Sequence, residues 1–186
     1  MKVIGVSGLP GSGKSLVSNI SKKYGVYVVK MGDIIREEAE KRNEDSGTVA
    51  VNLRKEHGQY VVAKFTIVKI RKLFKSNKNY KKGPVFVVDG IRSPYEVKLL
   101  KKYFKNFVLL SIFSSPKTRF NRLKNRKRSD DSIHIEDFHK RDERELDFGI
   151  GTVISTSDYI IVNEEGIGKY KNQINKFFQK EIPSKL

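Results

Sequence analysis

Gly8-Leu9-Pro10-Gly11-Ser12-Gly13-Lys14-Ser15 fits G-x-x-x-x-G-K-[ST], the phosphate-binding P-loop. Residues 2–7, Lys-Val-Ile-Gly-Val-Ser, are a short apolar run of strand type. Leu16, Val17 and Ile20 after the loop share one helical face. The chain thus reads strand, glycine loop, helix, the context the motif demands. Glycines let backbone N–H groups turn around a phosphate with no Cβ in the way. The new helix aims its positive N-terminal end at the same anion. Lys14 supplies a mobile cation for the β- and γ-phosphates of ATP, and the Ser15 hydroxyl a ligand for Mg2+.

Working outward, Gly25 stops a first helix over residues 13–24. Residues 26–29, Val-Tyr-Val-Val, read as a strand buried on both faces of a parallel sheet. The next helix is expected to start at Gly32 or Asp33, with Asp33 as a candidate N-cap. Residues 43–49 read as a loop. Residues 51–76 read as a long helical region that Gly58 interrupts, with Val61, Phe65 and Val68 on its apolar face. A lysine- and asparagine-rich connection over 76–83 leads to a strand over 85–89 that ends in the Asp89 carboxylate. Gly90-Ile91-Arg92 then turns the chain, and Ser93 and Pro94 open a helix as N-cap and first residue.

The second half continues the alternation. A strand at 107–113 is followed by a helix from Ser115-Pro116 and a charged segment over 126–134. A helix over 135–147 leads through a hinge-like turn at 148–151 to a strand at 159–163. The last amphipathic helix carries Ile167, Tyr170, Ile174, Phe177 and Phe178. Strands alternating with helices imply an α/β fold with a parallel sheet covered on both faces, whose ligands bind at the C-terminal ends of strands.

Composition bounds the reading further. The 186 residues suit a single α/β domain over 1–186, and the lack of cysteine excludes disulfides and thiolate zinc sites. No apolar stretch is long enough to span a membrane and no signal peptide is visible, so a cytoplasmic enzyme is expected. The net charge of +17, from 38 basic and 21 acidic residues, has two competing readings. One is a nucleic-acid surface; the other, which is favoured, is a lysine-rich background around a polyanionic small substrate. No RNA-binding signature with paired aromatics is visible. His57, His134 and His139 lack metal-ligand spacing and read as surface residues.

Asp89 has the pattern of a carboxylate that holds Mg2+ opposite the P-loop, against the plainer reading of a turn aspartate. Arg92 could fork onto a phosphate or make a surface salt bridge. Arg119, Arg122 and Arg126 are spaced i, i+3, i+7. Such a face needs an anion among its guanidinium groups, or else it is a solvated basic face with Glu136, Glu143 and Glu145 as partners.

Gly8 to Ser15, Gly32-Asp33-Ile34-Ile35-Arg36, Asp89-Gly90-Ile91-Arg92 and Arg122-Leu123-Lys124-Asn125-Arg126 resemble, in order, four motifs of adenylate and other nucleoside monophosphate kinases. These are the P-loop, the acceptor-binding motif, the Asp-Gly-x-x-Arg motif and the lid motif. Residues 158–163 look like the last strand of dephospho-coenzyme A kinases. The whole chain is similar to an archaeal P-loop kinase-like family, adenylate-kinase-related. The resemblance implies a five-stranded parallel sheet in the order 2-3-1-4-5, an acceptor-binding helical region over 32–76 and a short lid over 126–144. It implies ATP on Gly8 to Ser15 and Arg122, Mg2+ on Ser15 and Asp89, and an acceptor on Asp33, Arg36 and Arg92. Lys14, Arg126, Arg141 and Arg144 are then the catalytic cations. The expected function is ATP- and Mg2+-dependent phosphoryl transfer to a nucleotide-like acceptor, AMP first. An RNA-associated kinase or ATPase and a regulatory nucleotide-binding module with little turnover stand as alternatives.

Overall fold

The computed structural model describes residues 1–76, 83–126 and 134–182. Its centre is β1 (Lys2–Ser7), where Val3, Ile4 and Val6 are wholly buried. Around it the chain forms α1 (Lys14–Ser21), β2 (Tyr27–Lys30), α2 (Met31–Arg42), α3 (Ser46–His57), α4 (Val61–Ser76) and β3 (Val85–Ile91). Then come α5 (Pro94–Tyr103), β4 (Phe107–Phe113), α6 (Pro116–Arg126), α7 (Ile135–Asp147), α8 (Ile150–Ser155), β5 (Tyr159–Val162) and α9 (Ile167–Glu181). All strand pairs are parallel, and the order β2-β3-β1-β4-β5 is the one the resemblance implied. The chain moves from β1 to one side of the sheet, through β2 and β3, and then to the other. The mouth beside β1 is therefore a topological switch point, where α/β sheets bind ligands.

Alternation along the strands sorts the core into two layers. Ile4, Val6, Val87, Leu110 and Ile112 pack under α1 and α9. Val3, Val29, Phe86, Val88 and Leu109 pack under α2 to α5 and α8. Among the described residues no helix is long and apolar enough to cross a membrane.

Several local expectations change. β2 lies at the sheet edge, so Tyr27 and Val28 are only half-buried. Helix α2 starts at Met31 with Lys30 as N-cap, which puts Asp33 inside the first turn, where its charge suits the helix dipole. Much of the expected loop at 43–49 is helix, because the Asp45 carboxylate accepts from Thr48 N at 2.9 Å and caps α3. On α4 Val61 is buried as expected, but the stripe continues through Val62, Thr66 and Ile70, while Phe65 and Val68 face outward at 43% and 49% exposure. Thr66 can sit inside because its hydroxyl donates to Val62 O at 2.7 Å. β3 does not turn after Asp89. Gly90, at φ 100°, absorbs a bulge, and the strand pairs on to Ile91. The expected hinge at 148–151 instead starts α8, with left-handed Gly149 as N-cap and Ile150 buried behind it. Most of the connection at 76–83 and most of the charged segment at 126–134 lie outside the described residues.

α5 opens as expected, with Ser93 and Glu96 forming a reciprocal capping box. The Glu96 carboxylate is buried and does more than cap. It accepts from Arg92 N at 2.7 Å, Ser93 N at 3.2 Å and Arg54 at 2.8 Å, tying α3 to the end of β3. Glu96→Ala would leave the Arg54 guanidinium buried without its carboxylate. It is expected to lower unfolding free energy by about 3–5 kcal/mol, measured by urea denaturation. Glu96→Gln, which keeps acceptor capacity for the two amides, is expected to lose less.

Candidate functional site

The P-loop joins β1 to α1 in a conformation that suits anions. Gly13 is the α1 N-cap at φ 104°, offers no capping side chain, and no acidic residue follows in the first turn. The first amides of α1 thus keep their capacity for a bound anion. The loop is also held tightly from outside. A Cβ at Gly11 would meet the Arg119 backbone at 2.7 Å, and one at Gly13 would meet Asn163 Nδ2 at 2.5 Å. Asn163 donates to Ser12 O at 2.8 Å and Tyr170 donates to Gly13 O at 3.1 Å, so the element after β5 and helix α9 brace the loop.

Lys14 folds back across the loop, donating from Nζ to Gly8 O at 2.5 Å and Leu9 O at 3.0 Å. Burial lowers its pKa to about 8, opposed by Asp89 and reinforced by Arg92. At the adjacent strand end, Asp89 accepts from Ser18 Oγ at 2.7 Å. Ser18 lies one helical turn after Lys14, and that i+4 spacing was its only signal in the sequence.

Two cavities open at this edge of the sheet. The smaller, about 320 Å3, is bordered by Pro10, Gly11, Gly13, Lys14, Ser15, Asp89, Arg122 and Arg126. The larger, about 710 Å3, lies between α2, the start of α3, and α7, with Asp45, Gly47, Phe138 and Arg144 in its walls. Arg36, Arg92 and Arg141 border both. Of the predicted residues, Gly8, Leu9 and Ser12 lie in the loop behind the smaller cavity. Asp33 borders neither cavity but forms a short ion pair with Arg36. Arg144 borders only the larger one and lies against Gly47.

The arginines divide by environment. Arg119 is buried and belongs to the framework, paired with Asp142 and bonded to Ser114 O at 3.1 Å and Pro10 O at 3.3 Å. Its place on the expected anion-binding face is therefore corrected, because α7 supplies its counter-charge. Arg122 donates to Ser114 Oγ and Asn163 O, both at 3.0 Å, beside the P-loop. Arg92 pairs with Glu145 at 2.8 Å; Glu145 is buried on α7 and meets an arginine just after β3, not one of the basic face of α6 for which it was expected as a solvated partner. Lys30 borders both cavities, and Glu96, Glu145 and Asn163 hold the residues around them; none of the four was singled out from the sequence as a site residue. The pairs Glu96–Arg54, Glu145–Arg92 and Asn163–Ser12 join residues 42 or more positions apart, beyond any local pattern.

The fold, the loop and the paired cavities define a P-loop kinase-like nucleotide-binding domain. A family model described as an AAA domain matches residues 7–139. The chain belongs to the UPF0200 family of archaeal proteins. It is 49% identical over 180 residues to a UPF0200 protein of Methanothermobacter thermautotrophicus, covering 97% of this chain and 90% of that one. A relative from Pyrococcus furiosus is 46% identical, with coverage of 97% and 98%. In fold the chain is similar to TT1252 from Thermus thermophilus, with TM-score 0.70, 15% identity and 98% of both chains covered. It is also similar to a shikimate kinase from Acinetobacter baumannii, with TM-score 0.59, 14% identity, and 100% and 96% covered.

Lys14 is expected to make the binding of a polyphosphate pH-dependent. A bound polyphosphate favours the ammonium form and raises the lysine's pKa above its free-protein value of about 8. Binding then takes up a proton between those two pKa values, so affinity falls as pH rises through 8. Calorimetry in two buffers of different ionisation enthalpy near pH 8.5 is expected to detect that proton. Lys14→Met is expected to abolish the uptake.

Proposed function

We propose that the chain transfers the γ-phosphoryl group of ATP, with Mg2+, to a nucleotide-like acceptor, AMP being the first candidate. The observation that carries this reading is the sharing of Arg36, Arg92 and Arg141 between the P-loop cavity and the larger cavity beside it. A hydrolase needs one anion site and a water. A kinase needs two anion sites whose ligands meet, with cations at their boundary.

Ser15 and Asp89 border the smaller cavity with hydroxyl and carboxylate oxygens, the hard donors that suit Mg2+. When bound, Mg2+ offsets charge on the β- and γ-phosphate oxygens. The rest falls to the chain's own residues. Lys14 exchanges the Gly8 and Leu9 carbonyls for phosphate oxygens. Arg122 and Arg126 hold the donor. Arg92 and Arg141 offset charge on the migrating group, and Arg144 steadies the acceptor from the far wall. A monophosphate acceptor is already a nucleophile, so no general base is needed. The region 32–76 serves as the acceptor wall; of the expected lid over 126–144, residues 127–133 lie outside the described residues.

A screen of nucleoside monophosphates with ATP and Mg2+, read by ADP formation, tests the reading. Shikimate belongs among the acceptors tried, since a fold neighbour is a shikimate kinase. ADP formation is expected to depend on a monophosphate; an equal rate with no acceptor would mark an ATPase. Arg36 separates acceptor from donor. Its pair with Asp33 is exposed and costs little to exchange for a phosphate. Arg36→Ala is expected to raise the acceptor KM about tenfold, the loss of one charge-assisted contact. The Kd for ATP measured without acceptor is expected to stay unchanged.

A further inference from the structure

The α4–α5 surface gathers features that the linear sequence keeps apart. The two helices lie side by side. Tyr60, just before α4, meets Tyr95 at the start of α5 edge-to-face, with ring centroids 5.5 Å apart. Further along, the Arg71 guanidinium lies 4.9 Å from the Tyr103 ring centre. From Tyr60 to Arg71 the surface runs about 16 Å by helical rise. Tyr95 and Tyr103 are 46% and 47% exposed.

Charge on this face has one sign. Lys64, Arg71 and Lys75 recur with Tyr60 at helical spacing toward α5, and Lys98 and Lys102 follow Tyr95 at three and seven residues. All five cations are exposed, and Lys64, Lys75, Lys98 and Lys102 form no ion pair among the described residues. α4 contains no carboxylate, and the one on α5, Glu96, is buried against Arg54. A merely soluble surface intersperses the two signs; this one does not. Cations in a row answer a phosphodiester backbone, and exposed tyrosine faces answer unpaired bases.

We propose that the α4–α5 face binds single-stranded nucleic acid. The backbone tracks the row Lys64, Arg71, Lys75, Lys98 and Lys102, and bases stack on Tyr95 and Tyr103. None of these residues borders the two cavities of the sheet edge, so this surface is separate from the phosphoryl-transfer site.

The test is fluorescence anisotropy of a short labelled oligouridylate on the full chain, over a range of salt concentrations. Engagement of five cations predicts a log K against log salt slope of about −3.5. Lys98→Glu with Lys102→Glu is expected to weaken binding at least tenfold and flatten that slope. Tyr95→Ala is expected to weaken it about tenfold with the slope unchanged, since it removes stacking but no charge. Thermal melting confirms that both variants are folded. Lys22→Glu with Lys23→Glu, on the far side of the sheet, is the control and is expected to leave binding intact. An equal loss in that control would overturn the proposal, because the overall charge would then be the binder. So would a polyglutamate peptide that binds as tightly as the oligonucleotide and ignores Tyr95→Ala, which would assign the face to an acidic protein.

Discussion

A single buried guanidinium ties the phosphate loop to the helices that face it. Arg119 reaches Pro10 O in the loop, Ser114 O at the end of β4 and the Asp142 carboxylate on α7, and lies 5.0 Å from the Phe138 ring centre. Its backbone also touches Gly11, which is why that position has no room for a Cβ. A buried charge is tolerated only when its donors are met, and here one side chain meets partners from three elements. It joins the phosphate loop directly to the α7 wall of the larger cavity.

The remaining charges are arranged around that joint. Glu145 is buried on α7 and takes Arg92, while Glu96 grips the backbone at Arg92 and the Arg54 side chain. One arginine is thus fixed by its amide and by its guanidinium, from two helices. Its orientation at the boundary of the two cavities owes little to chance rotamers. Preorganised cations of this kind offset developing charge without reorganisation at the moment of reaction.

Lys14 is the exception to this fixity. It is held by two carbonyls of its own loop, and burial keeps its pKa near 8. Carbonyl contacts are neutral, so an anion competes for the ammonium group on favourable terms. The flexible stem lets the charge move where an arginine's fork would stay put. The loop therefore combines a rigid backbone with one mobile charge.

The sequence by itself determined the P-loop, the alternation of strands and helices and the capping of α5, because each rests on neighbours within a few residues. It also put Arg92 after the third strand and Arg122 and Arg126 on the helix after the fourth, and all three border the smaller cavity. It could not separate Arg119 from Arg122. Both follow β4 on one helix, and only the approach of Asp142 buries one and leaves the other beside the loop. It misjudged the face of α4, since Thr66 reads as polar until its bond to Val62 O admits it to the core. The aromatic pairing of Tyr60 with Tyr95 and of Arg71 with Tyr103 was likewise invisible, as it depends on α4 and α5 lying side by side. Local periodicity encodes which residues form an element; which charges and rings meet across elements is set by packing, and tertiary structure alone decides it.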